Sequence, residues 1–140
     1  MSQRIDALAQ RFIDALHTLE QGSGRDAEAL AKLFSQDATL TNSTLEIRQQ
    51  QVRGREQIMG FWVNYRSTLA NAHSHFHHIT LSDKAAGLFW TTTGAEVNGQ
   101  PVNYHGATLL EFDDQGLISF FCGYYDTREL TVKAEADKDN

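Results

Sequence analysis

The sequence predicts an α+β domain in which helices come first and an antiparallel sheet follows. Three observations carry this. Up to about Leu69, apolar residues recur at spacings of three and four, the pattern of helices with one buried face. After Asn71 the chain turns to β-branched and aromatic runs broken by short turns. The two longest of these runs, VNYHGATLLEF and LISFFCGYYD within Val102–Asp126, flank the polar turn DDQG, which ends in Gly116. Helices followed by a meander of strands pack as helices on one face of a sheet.

The elements follow in order. Ile5, Leu8, Phe12, Ala15, Leu16 and Leu19 make one stripe on a helix from Gln3 to Glu20, with Ser2 as its cap. GlnGlySerGly at 21–24 stops it. A shorter helix spans Asp26–Phe34, facing Ala27, Leu30, Leu33 and Phe34 inward. The helix pair, so closely linked, packs together. Asp37–Asn42 switches to period two, a short strand, and Ser43–Arg53 reads as an irregular strand or an extended loop. A third helix, Gly54 to Leu69, carries Ile58, Phe61, Trp62, Tyr65 and Leu69 at helical spacing. His73–Leu81 and Ala86–Val97 are strands. Asn98-Gly99 is a hairpin turn, because both residues accept positive φ. The Val102–Asp126 hairpin completes the sheet.

Composition bounds the function classes. A chain of 140 residues forms one domain with a substantial core, here over 1–128, and the charged stretch 129–140 reads as a flexible tail. Hydrophobic residues at 41% and charged residues at 21% are ordinary for a globular protein. A net charge of −6 argues against nucleic acid as a partner, since phosphate binding needs a basic surface. No apolar run is long enough to span a bilayer, and MSQRIDALAQRF lacks the apolar segment of a signal peptide. A lone cysteine, Cys122, rules out an internal disulfide and fits a reducing cytoplasm.

Four stretches then carry a family likeness: LFSQDAT at 33–39, GREQI at 54–58 with Phe61-Trp62, LEFDDQGLI at 110–118, and Tyr124-Tyr125-Asp126. In this order the chain resembles the nuclear transport factor 2-like superfamily, in its SnoaL-like and ketosteroid-isomerase-like branch, over roughly residues 3 to 127. The resemblance implies a curved antiparallel sheet wrapped as a cone around three N-terminal helices, with a pocket between sheet and helices. It also implies a homodimer through the outer sheet face. Alternation assigns Tyr104, Thr108, Leu110 and Phe112 to one face of the hairpin, together with Phe121 and Tyr125. Phe120, Cys122 and Tyr124 fall on the other, the expected dimer side.

The resemblance also tests the family's best-known reaction. Its oxyanion tyrosine matches Phe12, its general-base aspartate matches Asn42, and its protonated aspartic acid matches Thr108. All three depart from what steroid isomerisation needs, so that reaction is rejected. Trp62 matches an aromatic that supports the tyrosine.

The histidine strand offers the remaining chemistry. His73, His75 and His77 share a face by parity, and Ile79 and Leu81 share it too. Were that face turned to the pocket, His75 or His77 would be an acid/base group, with Tyr104, Tyr125 or Asp126 assisting. The plain alternative is a polar strand edge with exposed imidazoles. Histidines at i and i+2 can ligate zinc, but no Cys or carboxylate lies near them in sequence, and no metal ligand is assigned. Thr91, Thr93, Tyr104 and Thr108 lend the expected pocket hydroxyls; Phe12, Trp62, Leu110, Phe121 and Tyr125 give apolar walls. The ligand this mix suits is a small apolar molecule with a few polar groups. Arg53 and Arg55 offer an anion site or, more plainly, surface pairs. No phosphate loop, CxxC, HExxH or GxSxG is present, and no cofactor is implied. The expectation is a small-molecule-binding protein, with isomerase, cyclase or dehydratase chemistry as its catalytic form and a non-catalytic binding or dimerisation module as the alternative.

Overall fold

Helix α1 runs over Ser2–Gln21 and buries Ile5, Ala9, Phe12, Ile13, Leu16 and Leu19. The structure, a computed structural model, describes residues 2–127 apart from the side chain of Ser2. The Ser2 cap, Arg128 and the tail at 129–140 therefore lie outside the described residues.

A 3-10 turn at Gly24–Asp26 leads into a short helix α2, Ala27–Ala31. This helix stops before Phe34, where the sequence predicts its end. Phe34 instead opens strand β1, Phe34–Asn42. The last strand of the chain claims this segment: Ile118 N donates to the Leu33 carbonyl at 2.8 Å, and Phe34 lies opposite Ile118. Asn42 then accepts from Leu45 N at 2.9 Å and so caps a helical turn, α3, Ser43–Ile47. The segment expected as irregular strand or loop is thus a capped helix followed by the two-residue strand β2, Val52–Arg53. Helix α4 spans Arg55–Thr68. Arg55 spends its guanidinium on the Phe34 carbonyl, at 3.0 and 2.7 Å, and holds α4 to the start of β1.

Four long strands follow: β3 Leu69–Leu81, β4 Ala85–Glu96, β5 Pro101–Phe112 and β6 Ile118–Tyr125. The six strands form one curved, unclosed sheet in the order β2-β1-β6-β5-β4-β3. The sheet is mixed rather than purely antiparallel, because β1 runs parallel to β6. Parallel neighbours need a long crossover, and everything between β1 and β6 supplies it. Helices α1 and α4 pack on the inner face, α2 packs against both of them, and α3 is a fourth helix beside the ends of β1 and β6. Ile5, Phe12, Leu19, Leu30, Phe34, Leu40, Ile58, Leu88, Leu110 and Ile118 are the largest fully buried side chains among the described residues.

One irregularity decides the site. Strand β3 pairs Phe76 with Trp90 and then His78 with Phe89, so His77 is an extra residue, a β-bulge. Before the bulge, Ser74 and Phe76 turn inward; after it, Ile79 does, opposite the buried Leu88. Parity therefore does not run through the strand. Ile79 faces the core while His75 and His77 face solvent, and Leu81 is exposed.

Leu110, expected on a pocket wall, is fully buried in the core. Leu110→Ala is expected to cost about 3 kcal/mol of stability in urea unfolding, whereas exposed Val97→Ala stays within ~0.5 kcal/mol.

Candidate functional site

Between the helices and the inner sheet face lies a cavity of about 180 Å³. Helix α1 contributes Phe12 and Leu16, and α4 contributes Phe61, Trp62 and Tyr65. The strands supply Asn42, Ser74, Phe76, Trp90, Thr92, Tyr104, Thr108, Phe121, Gly123 and Tyr125. No charged residue is among these walls.

The apolar part is an aromatic cage. The Trp62 ring meets Phe12, Phe61, Tyr65 and Phe121 edge to face, with centroids 6.2, 5.0, 5.6 and 5.5 Å away. Trp90 sits edge-on to Tyr104 at 5.6 Å, and Tyr104 to Tyr125 at 6.1 Å. The two tryptophans differ in one respect. Trp90 Nε1 donates to Thr108 Oγ1 at 2.9 Å, whereas Trp62 Nε1 is buried with no hydrogen-bond partner.

Behind the wall stands a polar network. Glu20, 3% exposed, lies at the end of α1. Its Oε2 accepts from Tyr65 Oη at 2.7 Å and from Ser74 Oγ at 2.6 Å, and its Oε1 accepts from Ser74 N at 2.9 Å. The Ser74 hydroxyl donates to the carboxylate and therefore accepts from Thr92 Oγ1, 2.8 Å away. Three donors thus satisfy a carboxylate whose burial is otherwise very costly.

The phenols are shifted. Burial pushes Tyr65 well above the ordinary phenol value, and the Glu20 carboxylate adds to this. Tyr104 is pushed up to about 12, by burial first and then by Tyr125, Glu20 and Glu96. Both stay protonated near neutral pH and act there as donors. At the cavity's other end Tyr125 Oη donates to Thr44 Oγ1 at 2.7 Å, tying β6 to α3.

Of the residues the sequence singled out, Phe12, Asn42, Trp62, Tyr104, Thr108, Phe121 and Tyr125 line the cavity. Asn42 also spends its carbonyl on the α3 cap. Others lie elsewhere. His75 and His77 are exposed on the far side of β3, because the inward positions there belong to Ser74 and Phe76. Thr91 and Thr93 point outward, since the buried Leu88 and Trp90 set the parity and bring Thr92 inside. Leu110 is core, and Asp126 is exposed just past β6. The sequence reading missed Glu20, Ser74, Phe76, Trp90 and Thr92. A signal for Glu20 existed: it follows Leu16 by four on the apolar stripe of α1, where a carboxylate needs buried donors.

A model of the SnoaL-like domain matches residues 9–121. The chain belongs to the SnoaL-like family. Among solved structures it is similar to an NTF2-like protein of unknown function from Exiguobacterium sp. 255-15, at TM-score 0.71 and 15% identity, over 85% of this chain and 98% of that one. It is also similar to an NTF2-like protein of unknown function from Burkholderia pseudomallei K96243, at TM-score 0.75 and 16% identity, over 93% of this chain and 95% of that one. No curated protein matches the sequence. These likenesses show the NTF2-like cone fold, and no reaction comes with them.

Two measurements check this SnoaL-like site. Tyr65→Phe removes one of three donors to a buried carboxylate and is expected to cost about 2 kcal/mol of stability. Tyr104 has a folded-state pKa above its unfolded value, so its stabilising effect is fully present below about pH 10. That effect is lost as pH rises through about 12. In alkaline unfolding, Tyr104→Phe is expected to lose less stability than the natural protein across this window.

Proposed function

We propose that the cavity binds a small, neutral, mostly apolar molecule that carries an accepting oxygen, a carbonyl above all. The observation that carries this is the orphaned indole N–H of Trp62. A buried donor without a partner is rare in native proteins and calls for an explanation. An acceptor on a bound molecule supplies one. The size agrees, since an apolar cavity of ~150 Å³ holds benzene. So does the absence of charged walls among the described residues, which disfavours an ionic ligand.

Acid/base turnover of such a molecule by isomerisation, cyclisation or dehydration is the finer reading. It is supported by Tyr104, a protonated phenol at the wall, and by Glu20, one hydroxyl behind it through Tyr65 or Ser74. A histidine base at position 75 or 77 has no support from their exposure. The non-catalytic alternative is favoured by Phe12, Asn42 and Thr108 at the three positions where the isomerases of this fold keep catalytic groups. A homodimer through the outer sheet face fits the exposed Phe89 and Tyr124 there, and a reducing compartment fits the buried thiol of Cys122.

Trp62→Phe keeps an aromatic ring and deletes the donor. Calorimetry with acetophenone-sized ketones is expected to show roughly 10-fold weaker binding to this variant, with toluene unaffected. Equal ketone affinity for both proteins defeats the reading.

A further inference from the structure

We propose that His17, Glu20 and His73 form a site for a zinc-class divalent ion beside the cavity, independent of the ligand reading above. The three residues come from two elements. His17 and Glu20 stand one turn apart on α1, at i and i+3, and so project to the same side. His73 lies on β3, where α1 packs against the sheet. One ligand atom from each of the three lies within 4.8 Å of the others. The His17 and His73 rings sit 4.9 Å apart and nearly parallel, at 19°.

The hydrogen bonds leave room for an ion. His17 Nε2 lies 2.7 Å from the carbonyl oxygen of Ser74. A carbonyl only accepts, so Nε2 carries the proton and Nδ1 keeps its lone pair. A metal-bound histidine characteristically has this support, its other ring nitrogen donating to a backbone carbonyl. Glu20 Oε1 accepts one hydrogen bond and retains a second lone pair. His73 is exposed and stacks on His17, so a turn of its imidazole from that position brings a ring nitrogen toward the pair. A tetrahedral zinc with bonds of ~2.0–2.1 Å sets its donors about 3.4 Å apart, so separations within 4.8 Å close by at most about 1.4 Å. Rotation of an exposed imidazole covers that distance.

Donor chemistry selects the ion. Two imidazoles favour zinc over magnesium or calcium, a carboxylate is a common zinc ligand beside them, and three protein ligands leave a fourth position for water. The carboxylate is shared with Tyr65 and Ser74, both on the cavity wall. Occupancy of the site therefore bears on the same network that shapes the cavity.

The second histidine pair makes the test discriminating. His75 and His77 are exposed, with centroids 6.1 Å apart, and compete as a zinc site. The full chain, stripped with a chelator, is titrated with zinc chloride by calorimetry and with cobalt(II) by visible absorption. The expected result is one ion per chain with a tetrahedral cobalt spectrum. His17→Ala and His73→Ala are each expected to weaken binding at least ~10-fold, and the double variant His75→Ala/His77→Ala to leave it unchanged. Absence of saturable one-per-chain binding overturns the site, as does binding that survives His73→Ala or is lost in the His75/His77 double variant. Because His73 is exposed, its variant keeps the test decisive even if His17→Ala unfolds the protein.

Discussion

The buried carboxylate of Glu20 is the constraint on which this structure turns. It sits at the end of α1 and takes its donors from α4, through Tyr65, and from β3, through Ser74. Thr92 on β4 extends the chain by one hydroxyl. Four elements are thereby pinned to one group, at the junction where the helical layer meets the sheet edge. Apolar packing alone tolerates small slips between layers; a buried carboxylate does not, since any displacement strips a donor from a desolvated charge. The polar anchor fixes where α1 ends and hence where Phe12 and Leu16 enter the cavity.

With that junction fixed, the cavity's character follows from what faces it. Phe12, Asn42 and Thr108 bring a phenyl ring, an amide and a threonine hydroxyl to its wall, and the amide oxygen is spent in capping α3. What remains is an aromatic cage with donors at its walls. Two of these, the phenols of Tyr65 and Tyr104, are made still harder to ionise by burial. Tyr65 and Trp90 already have acceptors, in Glu20 and Thr108. Trp62, which lines the cavity, alone among the described buried side chains has none.

The fold was legible wherever hydrophobic period ran unbroken. The stripes of α1 and α4 and the alternation of β5 and β6 are regular, so Tyr104, Thr108, Phe121 and Tyr125 could be assigned to the inner face from sequence. Reading failed where a local pattern was overruled by a distant partner. Leu33 and Phe34 continue the helical spacing of Leu30, yet parallel pairing with Ile118 draws Phe34 into a strand. On β3 a single bulged residue, His77, reversed the facing of its neighbours, and no residue type announces a bulge in a run of histidines. The threonines of β4 carry no cue to phase, because Thr91, Thr92 and Thr93 are identical. Trp90, whose ring had to be buried, was the better guide. The anchor itself was partly legible: Glu20 lies on an apolar stripe, but its donors are 45 and 54 residues away and could not be named.

The central claim is that Trp62 presents its indole N–H to a bound acceptor. The chain has two tryptophans, and the other, Trp90, is already bonded to Thr108. Heteronuclear NMR resolves the two indole N–H signals separately. Titration with a small aryl ketone is predicted to move the Trp62 signal downfield, as a new hydrogen bond does, with a smaller change at Trp90. Saturable ketone binding that leaves the Trp62 signal in place would contradict the account.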